Sequence, residues 1–100
     1  MMSIYFIVQN DELEQIQRLD LPKEFMSLAN EDLSLAMKPA LNYLENRGVV
    51  KKDILRWKIG CCMSGEYNNR VIIPSFDEEG YINYFVARTF NGAWKKYLNP

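Results

Sequence analysis

The sequence predicts a small single α+β domain, with helices packed on one face of a largely antiparallel sheet that ends in a three-stranded meander. Three observations carry that prediction. Residues Arg70 to Asn99, RVIIPSFDEEGYINYFVARTFNGAWKKYLN, form arms rich in valine, isoleucine, tyrosine and phenylalanine, as a pleated, half-buried surface requires. Asp77-Glu78-Glu79-Gly80 interrupts the first pair of arms and Asn91-Gly92 the second, and both are turn signals because glycine and asparagine take positive φ without a clash. Upstream, Pro39 to Gly48 has the punctuation of a helix, and 100 residues at 48% hydrophobic and 25% charged suffice for one domain with a modest core.

In chain order, Ser3 to Val8 reads as a strand. Asn10 or Asp11 caps a short helix to about Leu19, whose acidic start, Asp11-Glu12-Glu14, suits the positive end of a helix dipole. Leu21 to Phe25 reads as an extended connector, since Pro22 biases its predecessor away from helix. Asn30 to Asp32 offers another cap. The best-defined helix starts at Pro39, carries Ala40, Tyr43 and Leu44 on one side, and ends at Arg47 with Gly48 where a left-handed cap belongs. A shorter helix from Lys51 to Trp57 is expected to bury Ile54, Leu55 and Trp57, with Asp53 partly compensating for a weak cap at Val50. Ile59 to Met63 returns to strand character, and Ser64 to Asn69 is a polar loop. There are no repeats and no interdomain linker.

The net charge of −1 conceals an asymmetry: residues 1–50 carry four basic and eight acidic side chains, and residues 51–100 carry eight and five. That balance argues against a chain that coats duplex DNA, while a local basic patch remains compatible with nucleic acid. The two cysteines, Cys61 and Cys62, are adjacent, a spacing that suits neither a disulfide nor a zinc site, and there is no histidine to help ligate a metal or serve a thiol nucleophile. Reduced, packed thiols are expected, as in a cytoplasmic protein. The apolar start Ile4 to Val8 is too short to span a bilayer and lacks the basic region of a signal peptide, so no membrane partner is expected.

The chemistry resides in the meander. Arg70 opens the first arm, Arg88 lies late in the second, and Lys95 and Lys96 lie in the third, so folding is expected to gather them on one solvent-open face as an anion site. Arginine grips phosphate oxygens in pairs and lysine adds a mobile charge. On the residues alone, strand-end charges kept in solvent or paired with Asp77, Glu78 or Glu79 are the plainer account. Trp94 and Tyr97 are candidate stacking platforms, although aromatics in short strands usually fill a core. No catalytic residue and no metal ligand set emerges: the carboxylates of Asp77 to Glu79 sit in a turn, with no second acidic pair spaced to share a cation.

The order of these pieces adds a resemblance. Ala40-x-x-Tyr43-Leu44-x-x-Arg47-Gly48, then Ile54 and Ile59-Gly60, Arg70-Val71-Ile72-Ile73-Pro74, Asp77-x-x-Gly80, Phe85-x-x-Arg88 and Lys96-Tyr97-Leu98-Asn99 together resemble the bacterial-type DNA primases. More narrowly, the run looks like the N-terminal subdomain of their RNA-polymerase core in its phage-like form, across roughly residues 22 to 100 and most strongly over 39–100. The resemblance implies nucleotidyltransferase work in DNA replication: RNA primers made on a single-stranded DNA template from NTPs, with a replicative helicase as a further partner, in the cytoplasm of a bacterial host. It also implies that Arg70, Arg88 and Lys96 contact template, primer or nucleotide phosphates, with Lys95, Tyr97 and Trp94 beside them. Tyr84, Val86 and Ala87 stand where the family carries glycines before the arginine.

The family's zinc ribbon and its toprim subdomain, whose acidic cluster is expected to hold Mg, are absent from these residues. The chain is therefore expected to be inactive alone, and the end at Pro100, directly after the KYLN motif, to be a cloning boundary or a truncated gene product. The alternative is a stand-alone module that binds single-stranded nucleic acid or serves a replication protein.

Overall fold

A computed structural model describes residues 19–30, 32–92 and 95–100. The expected strand Ser3 to Val8, nearly all of the helix expected after it, Glu31 and Trp94 lie outside the described residues.

Among the described residues there are four strands and two helices. In chain order these are β1 (Phe25–Ser27), a 3-10 turn (Leu35–Met37), α1 (Lys38–Asn46), α2 (Lys51–Trp57), β2 (Gly60–Cys62), β3 (Arg70–Phe76) and β4 (Ile82–Thr89). The strands lie side by side in sequence order and every pairing is antiparallel. The class is α+β. The expected connector Leu21 to Phe25 runs directly into the edge strand β1, so Phe25 belongs to the sheet. The described residues of the third arm of the expected meander, 95–100, do not form a regular strand. It returns beside β4 through the isolated bridge Arg88↔Tyr97, with Thr89 N–H donating to the Lys96 carbonyl (3.0 Å) and Leu98 N–H to the Ala87 carbonyl (2.9 Å).

Local chemistry accounts for the boundaries. Pro39 sits in the first turn of α1, where its missing N–H costs nothing. Gly48, at φ +84°, ends the helix: its N–H donates to the Glu45 carbonyl and the Val49 N–H to the Leu44 carbonyl, each at 3.0 Å. That is the paired closure through which a left-handed glycine satisfies the last free carbonyls. At the start of α2 the Asp53 carboxylate reaches back to accept the Val50 N–H at 3.2 Å. The turn between β3 and β4 is built by Asp77, whose Oδ1 accepts the N–H groups of Glu79 and Tyr81, both at 2.9 Å.

Side chains alternate across the sheet and divide the core into two layers. Cys61, Val71 and the partly buried Ile73 face the helices, packing with Leu28, Met37, Ala40, Leu44, Ile54 and Ile59. Cys62, Ile72, Phe85 and Ala87 face the other way, where Leu21, Phe25 and Tyr67 cover them. The Tyr67 ring meets Phe85 edge-on at 5.2 Å between centroids. Both cysteines are free and buried, and burial pushes each thiol up to about 11. Gly60 has no space for a side chain, because a Cβ there would collide with the Met26 carbonyl oxygen and the Phe25 ring.

Candidate nucleic-acid interface

The register of β3 and β4 decides which cations meet. Arg70 lies opposite Thr89 and Arg88 opposite Val71. Directly paired residues share a face and adjacent residues do not, so Arg70 and Arg88 project to opposite faces of the sheet. The expected convergence of Arg70, Arg88 and Lys96 on one solvent-open face is therefore not formed.

Arg70 is 7% exposed. Its Nη1 donates to the carbonyls of Ala87 (3.4 Å) and Lys96 (3.1 Å), and its Nη2 donates to the Lys95 carbonyl. A guanidinium used in this way ties the third arm to β4 rather than facing solvent. The third arm needs such a tie because its described residues make one bridge, Arg88↔Tyr97. The side chains of Lys95 and Lys96 are exposed while their carbonyls are engaged with Arg70.

On the helix face a different group assembles. Arg47, at the end of α1, lies 4.6 Å from the centroid of the Tyr43 ring, one turn back along the same helix. The Arg88 guanidinium lies 5.8 Å from the same ring and 5.0 Å from the ring of Tyr97, and its Nη1 donates to the Tyr97 hydroxyl at 2.7 Å. Both arginines sit within the distance at which a cation is attracted to an aromatic face. Two positive charges from distant parts of the chain are thus held beside one tyrosine, and a second tyrosine, 48% exposed, flanks them.

These four side chains rim a recess of about 210 Å³ whose floor includes Val71, Ile73 and Val86. The Tyr43 hydroxyl and Arg88 Nε are buried without a hydrogen-bond partner among the described residues. Unpartnered buried polar groups cost about 1–3 kcal/mol each. Arg88 uses Nη1 on Tyr97 and its Nε is buried, so Nη2 is the donor left to an anion.

Of the residues singled out from the sequence, Arg88 and Tyr97 thus come together, Arg70 lies on the other face, and Lys95 and Lys96 flank the bridge. Tyr43 and Arg47 were read only as parts of a helix and of the motif order. Their signal was the four-residue spacing of an aromatic and a cation on a well-capped helix. Among the described residues, no group of three or more histidine, cysteine, aspartate or glutamate side chains is placed to hold a metal ion. No helix among them is long and apolar enough to cross a membrane.

No family model matches the chain, and no curated protein matches it. Among solved structures it is similar to one described as "Structure of the DnaG primase catalytic domain bound to ssDNA", with a TM-score of 0.63 and 21% sequence identity. The similarity covers 89% of this chain and 35% of that one, so the chain spans about a third of the length of the structure it matches. At that identity the likeness is one of fold.

Proposed function

We propose that this chain is a primase-related module that holds single-stranded DNA on the surface formed by Arg47, Tyr43, Arg88 and Tyr97. The observation that carries this reading is the pair of guanidinium groups, from α1 and β4, set against the one ring of Tyr43. A guanidinium set against an aromatic face surrenders little side-chain freedom when it takes up a phosphate, Arg47 with a two-donor edge and Arg88 through Nη2. Tyr97 adds an exposed ring on which a base can stack. The resemblance of the motif order and the shared fold with a primase catalytic domain bound to ssDNA support the same class of partner.

In this reading the chain contributes positioning to primer synthesis. It holds the template strand, and its arginines offset the charge of the polyanion. The metal-dependent transfer of nucleotides is assigned to a toprim-like part of such an enzyme, with Mg and NTPs bound there. Arg70 acts indirectly, by fixing the third arm that carries Lys96 and Tyr97. The test is fluorescence anisotropy of a labelled oligothymidylate with the 100-residue chain at several salt concentrations. Affinity is expected to fall steeply as salt rises. Arg47→Ala and Arg88→Ala should each weaken binding and lower the salt slope by about 0.7, the share of one single-strand phosphate contact. Binding unaffected by either substitution would overturn the reading.

A further inference from the structure

The recess beside Arg88 has an aliphatic floor and a cationic rim, a combination that selects which part of a strand enters it. Building on the single-strand reading above, we propose that the recess between α1 and β4 takes one unstacked nucleobase, while Arg47 and Arg88 hold the adjacent phosphates at its rim. Val71, Ile73 and Val86 form the floor, and Tyr43 and Tyr97 stand at the sides. A phosphate pressed onto such a floor would lose its hydration and receive no hydrogen bond in return. The face of a base carries little hydration to lose and gains close contact with the aliphatic side chains.

Size and polarity agree. At about 210 Å³ the recess is smaller than the sites of about 300–1,000 Å³ that enclose drug-sized ligands, which suits one ring system and not a stacked pair. Tyr43, Arg47 and Arg88 belong to its walls, and the exposed guanidinium of Arg47 offers donors there. The edge of a base presents carbonyl and ring-nitrogen acceptors, which such donors satisfy. Tyr43 is flanked by two guanidinium groups and Tyr97 by one, so the more open stacking surface is that of Tyr97, which is 48% exposed. The arrangement fits a strand whose bases are splayed out, as single strands allow and duplexes do not.

The experiment compares two oligomers of about 12 nucleotides, a length within the range that single-strand binding folds cover. One is oligothymidylate, and the other carries the same phosphates on abasic sugars. The 100-residue chain should bind the abasic oligomer about fivefold or more weakly, with the same salt slope, since the phosphate contacts are unchanged. Val86→Phe fills the recess and should bring oligothymidylate and abasic binding to the same level. Tyr97→Ser, which removes a ring that is 48% exposed, should narrow the same gap. Equal affinity for the two oligomers, or a preference that survives Val86→Phe in a folded protein, overturns the base recess. If both oligomers bind equally and with salt dependence, the phosphate grip stands and only the recess assignment fails. If neither binds at any salt, both readings fail together.

Discussion

Arg70 offers the sharpest test of how the site is built. Replacing it with methionine keeps much of the length and apolar bulk of the side chain but removes the donors to the carbonyls of Ala87, Lys95 and Lys96. Hydrogen bonds to charged donors contribute about 1.5–3 kcal/mol each, so three independent ones would total roughly 5–9 kcal/mol. Two features reduce that total. The contact with Ala87 is long at 3.4 Å, and that carbonyl also accepts the Leu98 N–H at 2.9 Å. Lys95 and Lys96 are exposed, so water can replace the guanidinium at their carbonyls once the arm loosens. The expected loss is about 2–4 kcal/mol by urea unfolding. Amide exchange should locate it, with the Thr89 and Leu98 N–H groups losing protection first, because their acceptors define the bridge. Arg70→Lys should rescue little, since one ammonium cannot span three carbonyls with the planar fork of arginine. Unchanged stability and exchange in Arg70→Met, combined with a lower salt slope for single-stranded DNA, would refute the clamp and return Arg70 to the phosphate-binding set.

Further expectations concern the sheet and its turns. Gly60→Ala should destabilise by about 1–3 kcal/mol or prevent folding, because the new Cβ meets backbone and an aromatic ring in the sheet centre; a denaturant melt reads this directly. Asp77→Ala removes the acceptor for two turn amides and should cost about 1–2 kcal/mol, with an unchanged denaturant slope. Both thiols ionise near 11 in the folded chain against 9.0 for a free thiol, so the native state retains protons that the unfolded state releases. Stability should therefore be insensitive to these groups below about 9 and fall as pH climbs toward 11, and a Cys61→Ala, Cys62→Ala double variant should flatten that decline. Tyr43→Leu keeps the core filled but removes the ring beside both arginines, and single-strand affinity should drop several-fold while the melt changes little.

Much of the architecture was legible because single residues announce it. Pro39 and Gly48 bracket α1, Asp77 and Gly80 close the β3–β4 turn, and the arms between them have strand composition. The strand β1 was not legible: three residues following a proline-bearing connector offer too little alternation to read. The site failed at a finer level. Whether Arg70 and Arg88 share a face depends on a single-residue offset in strand pairing, which composition and turns do not fix. Arg70 is more informative still, since a basic residue at a strand start has the same appearance in sequence whether it faces solvent or holds three carbonyls. The partnership of Tyr43 with Arg88 joins segments 45 positions apart, a contact no local pattern contains.

The adjacency of Cys61 and Cys62 has a practical consequence. One sulfur is sealed into the helix-side layer and its neighbour into the opposite one, so a single peptide unit carries an independent reporter for each half of the interior. Pulsed alkylation followed by peptide mass analysis would show whether the halves open as one event or in sequence, without introducing any foreign probe.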